Sequence, residues 1–314
     1  MDNKSKAAVK AHKKKQLIRN LKRGKNMYIM LIPVLLYYII FFYKPIGALQ
    51  IAFKDYNPIL GVMDSPWVGL KHFKAFFSGP YIVRVIRNSF TINLIQIFTI
   101  FPLTIAFALF LNEVPFKKYK TFVQTASYMP HFISSVVVAG LVVSFLSPSA
   151  GIINVLISKL GFEKQYFLVK PEWFKPIYVI MGGWQGIGFG TIIYTSAISS
   201  IDETLYEAAR IDGAGRFKQM WHITLAGILP TITLMLIMRL GNMLSVGYET
   251  IILLYQPSTY ETADVISTYT YRRGMVDNDY SFATAVSLFN SIVSLVMVTA
   301  ANTISKKLSD TALW

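Results

Sequence analysis

Six stretches of mostly apolar residues, each about twenty or more long, constrain this 314-residue chain more than any other feature. They run roughly over 27–53, 88–111, 126–146, 177–198, 223–254 and 282–304. An α-helix needs about 20 such residues to cross a hydrocarbon layer. Backbone N–H and C=O groups find no water there, so each span must satisfy its own by helical hydrogen bonds. An all-α integral membrane fold with six transmembrane helices is therefore predicted. Lys44-Pro45 interrupts the first stretch, and Pro230 is predicted to kink the fifth. The first stretch is longer than a signal-peptide core and lacks a small-residue cleavage site, so it is expected to stay as a span.

Charge is scarce and unevenly placed. Only 15% of residues are charged and 54% are hydrophobic, where a soluble domain carries about 25% charged residues. The net charge of +15 raises the question of nucleic acid, but position argues for membrane topology instead. Ten Lys or Arg crowd Lys4–Lys25, three sit at Lys117, Lys118 and Lys120, three at Arg210, Arg216 and Lys218, and two at Lys306 and Lys307. These segments are short and alternate with longer connections holding eleven basic residues. By the positive-inside rule the denser set is cytoplasmic, as are both termini, and the basic tail can lie against anionic lipid. The predicted division is a basic tail over 1–26, a helical domain over 27–305 and a short tail over 306–314. Of the outer connections, 55–80 is predicted to be turn-rich and 151–161 to form a short surface helix.

The cytoplasmic segment 200–230 carries the most specific pattern. Ser200 and Glu203 fit a capping box at a helix start. Good helix formers follow to Asp212, and then Gly213 and Gly215 allow a sharp turn into a second helix. Leu205, Ala208 and Ala209 give the first helix an apolar face, edged by Glu203, Glu207 and Arg210. Such a helix can dock in a groove of another protein.

Glu207-Ala208-Ala209, Asp212-Gly213-Ala214, Ile223-Thr224-Leu225 and Pro230 resemble the EAA loop of binding-protein-dependent ABC importer permeases. Ala226 departs from the pattern, standing where the family often has its first proline. The stretches 28–59 and 65–74, with Trp314, are similar to the carbohydrate branch that imports polysaccharides and complex oligosaccharides. The resemblance implies a type I importer permease in the prokaryotic plasma membrane. It implies a second permease subunit, either identical or a paralogue forming a heterodimer, two ATP-binding subunits and an extracellular solute-binding lipoprotein. Glu203, Glu207, Ala208, Ala209, Arg210, Asp212, Gly213 and Ala214 would then meet the ATPase. ATP and Mg would be held by that partner, since this chain has no G-x-x-x-x-G-K-[ST] loop and no cofactor or nucleic-acid motif. With no cysteine and four scattered histidines, no catalytic constellation or metal site is predicted.

Polar groups inside a bilayer tend to face a cavity or a partner. Arg239, Asn242, Ser245 and Glu249 follow at spacings of three, three and four, predicting one helical face along the translocation path. Arg239 alternatively pairs with a buried acceptor. Sugars offer hydroxyls around flat C–H faces, so Asn93, Gln96, Trp184, Gln185, Tyr248 and Asn290 are candidate contacts, with packing as the alternative for each. Glycines 182, 183, 186, 188 and 190 predict close helix packing in the fourth span. Three other functions remain open at this stage: an ABC importer of a non-sugar solute, a secondary transporter driven by an ion gradient, and a scaffold or receptor. The second would need acidic residues inside spans, and Glu249 is essentially the only one.

Overall fold

The computed structural model describes Gln16, residues 24–309 and residues 312–314. Most of the basic tail lies outside the described residues. The chain divides into two compact units, Met1–Gly69 and Leu70–Trp314.

The first unit holds the long helix α1 (Lys25–Phe53) and the single turn α2 (Gly61–Asp64). Pro45 does not interrupt α1 as the sequence predicts. The turn Ile39–Tyr43 widens to a π-helix, with Lys44 N–H bonded to the Ile39 carbonyl, and this shift of register absorbs the proline. No residue of Lys25–Tyr38 is buried. After α1 the chain turns back: Lys54 pairs with Trp67 in an isolated antiparallel bridge, and the Phe53 and Trp67 rings stack 5.6 Å apart. The Lys54 ammonium donates to the Val62 and Met63 carbonyls at 2.8 Å, closing the loop.

The second unit is helical throughout its described residues. It contains α3 (Lys71–Phe77), α4 (Ile82–Phe98), α5 (Ile100–Glu113), α6 (Lys117–Tyr128), α7 (Ser135–Leu146), α8 (Ile152–Lys159) and α9 (Pro171–Ile198). Beyond these lie α10 (Glu203–Ile211), α11 (Arg216–Gly227), α12 (Leu229–Gly241), α13 (Tyr248–Leu254), α14 (Tyr260–Ala263), α15 (Ile266–Tyr271) and α16 (Tyr280–Ser309). Among the described residues four helices are long and apolar enough to cross a membrane, or six if each of two bent pairs is one span. The third predicted span, 126–146, is bent by 96° where the arm that begins as α6 meets α7. The first arm tightens to a 3-10 turn over Met129–Phe132, which contains Pro130, and Ser134 caps the second by accepting from Val137 N–H at 3.4 Å. The predicted kink at Pro230 is real: Ile228 leaves helical geometry (φ −94°, ψ 1°) and α11 meets α12 at 57°. Pro230 sits in the first turn of α12, where its missing N–H has no helical partner to lose. The short helix predicted over 151–161 is present as α8. Asn154 within it is fully buried and its amide binds the backbone of Leu146, Ser147 and Gln165.

α9 is the central strut. Its N-terminal half packs with Ile92, Val138, Val246 and Leu254, and its C-terminal half with Phe101, Ala108, Met220 and Ile228. Lipid tails are as apolar as leucine, so tight packing rather than transfer from water holds such helices together. The glycine prediction holds at particular positions. A Cβ on Gly188 would strike the Ser127 backbone carbonyl, and one on Gly183 the Ile100 side chain, while Gly186 faces open space. Gly188→Val is expected to cost about 3 kcal/mol or more, lowering the Tm of the detergent-purified protein by several degrees. Gly186→Ala is expected to be neutral, and equal melting of both variants would remove close α9–α6 packing as an explanation.

Candidate functional site

The segment between α9 and α12 builds an exposed hairpin of two helices. Asp202 caps α10: its Oδ1 accepts from Thr204 N–H at 3.0 Å. That hydrogen bond holds the Asp202 carboxyl below the usual carboxylate range. The capping box expected at Ser200 is therefore corrected. The Ser200 hydroxyl is spent on the Ala197 carbonyl at 2.7 Å, closing the end of α9, and α10 starts after it.

Gly213 ends α10 at φ +74°, the left-handed conformation that glycine adopts without penalty. Ala214 N–H then bonds the Ala209 carbonyl at 2.8 Å and Gly213 N–H the Arg210 carbonyl at 3.1 Å. This pair of bonds is a complete Schellman turn. Gly215 starts α11, and the Gln219 amide donates back to the Ala214 carbonyl at 2.6 Å. Tyr206 and Thr224 hydroxyls lie 2.9 Å apart, tying α10 to the π-helical turn of α11. The angle between the two helices is thus fixed by backbone and side-chain bonds.

The exposed face differs from the sequence expectation. Glu207, Ala208 and Asp212 are exposed as expected, but Ala209 turns half-buried toward the body. Ile211, which sequence reasoning missed, is 87% exposed, and Leu205 is 52% exposed. Its signal was available, since Ile211 follows Glu207 and Ala208 by one helical turn. Glu203 and Arg210 line a cavity of about 760 Å³ beneath α10, together with Tyr206, Arg216 and Glu113.

The candidate path residues are only partly brought together. The predicted shared face of Arg239, Asn242, Ser245 and Glu249 is overturned, because α12 stops at Gly241 and Glu249 lies in the first turn of α13. Gly241 is pressed against Val298 of α16, and the chain breaks there. Arg239 has no carboxylate within 4.0 Å among the described residues; its guanidinium lies 5.7 Å from the Phe101 ring centre. The break after Gly241 is held by two of the predicted residues. Asn93 donates to the Met243 carbonyl at 2.9 Å, and Asn290 donates to the Ser245 hydroxyl at 3.2 Å. Ser267 donates to the Val246 carbonyl, and Asn242 folds back on Met238. Gln185 donates to the Ile133 carbonyl at the α6–α7 bend. Gln96 faces Gly182 of α9, and Tyr248 stacks on Tyr271 at 5.0 Å. Trp184 stands apart, in an apolar groove of about 680 Å³ with Val138, Phe145 and Ile180. Irregular backbone at such depth is tolerated only where protein or a water-filled cavity satisfies it.

A bundle of apolar helices, a broken helix within it and a short exposed amphipathic helix between two apolar helices define the class: a helical membrane transport permease. Residues 99–310 match the family described as binding-protein-dependent transport system inner membrane component. The chain is 41% identical, over 97% of its length and 95% of the relative's, to the polygalacturonan/rhamnogalacturonan transport system permease protein YteP of Bacillus subtilis. It is 42% identical to protein LplB of the same organism, over 94% of this chain and 92% of the other. A chain of the crystallised bacterial ABC transporter involved in the import of the acidic polysaccharide alginate superposes with a TM-score of 0.86. That chain is 47% identical, with 94% of this chain and 99% of the other covered. A second structure, with an alginate pentasaccharide-bound periplasmic protein in complex, gives a TM-score of 0.87 at 46% identity. The chain belongs to the binding-protein-dependent transport system inner membrane components, the permease subunits of ABC importers.

Proposed function

We propose that this chain forms half of the translocation path of an ATP-driven importer of oligosaccharides or polysaccharide fragments. The observation that supports this most directly is the Schellman-locked α10 helix, with Glu207, Ala208 and Ile211 exposed on it, in a chain closely similar to polysaccharide importer permeases. In this reading six spans cross the plasma membrane, counting each bent pair once, with both termini in the cytoplasm. α10 seats in a groove of a cytoplasmic ATPase. Two ATPase copies hold the ATP and Mg, a second, related permease completes the path, and an extracellular solute-binding lipoprotein delivers the cargo. The chain itself carries no enzymatic step. ATPase closure moves the two coupling helices, and the helix bundles rock around a site at the broken helix after Gly241.

Uptake into proteoliposomes holding the complete transporter tests this. Labelled oligogalacturonate is expected to accumulate only with ATP on the ATPase side and loaded binding protein on the other. Uptake driven by a proton or sodium gradient without ATP would overturn the proposal.

A further inference from the structure

Asp264 is fully buried, yet the charges around it do not cancel. Its Oδ2 accepts from Arg84 at 3.0 Å and from Arg272 at 2.7 Å, and its Oδ1 accepts from the Thr268 hydroxyl at 2.8 Å. One carboxylate thus faces two guanidinium groups, each about a quarter exposed. Arg84 Nε is buried without a partner among the described residues. Arg87, one turn along α4, reaches Glu261 only at 3.9 Å across an exposed gap. Lys175, one turn into α9, has no carboxylate in ion-pair range among the described residues. The Thr262 hydroxyl donates to the Pro171 carbonyl, seating the start of α9 against this segment. Three arginines therefore share two carboxylates, and Lys175 adds a fourth cation with none in ion-pair range among the described residues. Beside them Tyr255 and Tyr260 stack at 4.8 Å, with the Arg272 guanidinium 4.8 Å from the Tyr260 ring centre.

Resting on the transport reading above, we propose that Arg84, Arg87, Lys175 and Arg272, with the Tyr255–Tyr260 pair, form a station that recognises the carboxylates of a uronate-type acidic oligosaccharide. Guanidinium forks match carboxylates in shape and charge. Partial burial keeps solvent from screening them fully. Stacked tyrosines present a flat apolar platform with polar edges, which suits the C–H faces and hydroxyls of a sugar ring. Asp264 fixes two of the cations in place without neutralising both. The station lies at the first turns of α4 and α9. In the six-span topology both turns are at the outer side, where cargo arrives.

The test uses the complete transporter in proteoliposomes, with an oligogalacturonate as probe and a double variant, Arg87→Gln with Lys175→Gln. Both positions lie outside the buried Asp264 contacts, so the fold is retained. The concentration of loaded binding protein needed for half-maximal uptake is expected to rise about fivefold, the effect of losing two partly exposed charge contacts. Lys159→Gln removes an exposed charge at the end of α8, outside the station, and is expected to behave as wild type. A double variant with an unchanged half-maximal concentration overturns the station. So does an equal fold-loss in the docking affinity of the empty binding protein, which would make the cluster a protein-docking surface. If the wild-type transporter itself takes up no oligosaccharide with ATP, the transport reading falls and this one with it.

Discussion

Gly213→Pro is expected to cut ATP-driven uptake by at least about tenfold, equivalent to about 1.4 kcal/mol of lost coupling, while the protein still inserts in the membrane. Gly213 sits at φ +74°, and a proline ring holds φ near −65°. The substitution also deletes the N–H that bonds the Arg210 carbonyl, and the Ala214–Ala209 bond depends on the same turn. Without the Schellman turn, α10 leaves α11 at a different angle and its exposed face no longer meets its partner in register. The effect is expected to be graded. Gly213→Ala keeps the N–H and is strained by about 1–2 kcal/mol, so part of the uptake survives. Gly215→Ala is expected to be silent, because Gly215 has φ −68° and its Cβ would enter open space. Glu207→Lys provides an independent arm. Glu207 is exposed, so stability should move by less than about 0.5 kcal/mol while ATP hydrolysis stops responding to loaded binding protein. Normal uptake by both Gly213→Pro and Glu207→Lys would remove the docking role of α10.

The largest expected loss of stability is at Asp264. Asp264→Ala leaves Arg84 and Arg272 facing each other with no counter-charge at a site where the aspartate is wholly inaccessible. Removing one partner from a buried ion pair costs about 3–5 kcal/mol, against a whole-protein stability of about 5–15 kcal/mol. The variant is expected to accumulate poorly and, in detergent, to melt well below the wild type. Arg87→Gln breaks only the exposed 3.9 Å contact to Glu261 and is expected to cost less than about 1 kcal/mol. Thermal scanning fluorimetry on the two purified variants separates these cases. An Asp264→Ala protein that melts with the wild type would show that the triad contributes nothing to the fold.

Much of the segment 200–230 was legible because its physics is local. The Gly213 turn, the helix before it and the bend at Pro230 depend on residues within four or five positions, where propensity and backbone geometry act directly. Pro45 shows the limit of that reasoning. A proline rule alone reads as a break, yet a π turn one helical turn earlier relieves it. The helical face drawn through Arg239 and Glu249 failed for another reason. It assumed that an apolar run is one helix, whereas contact of Gly241 with Val298 and the bonds from Asn93 and Asn290 stabilise a break.

The sequence by itself determined that this is a membrane bundle with an exposed helical hairpin, because apolar length, basic flanks and glycine positions act over one helix or one turn. Only the tertiary structure decided which polar groups meet. Arg84 finds Asp264 across 180 positions of chain, and α6 turns 96° into α7. Such choices are made by packing among helices distant in sequence, where no local preference selects the partner.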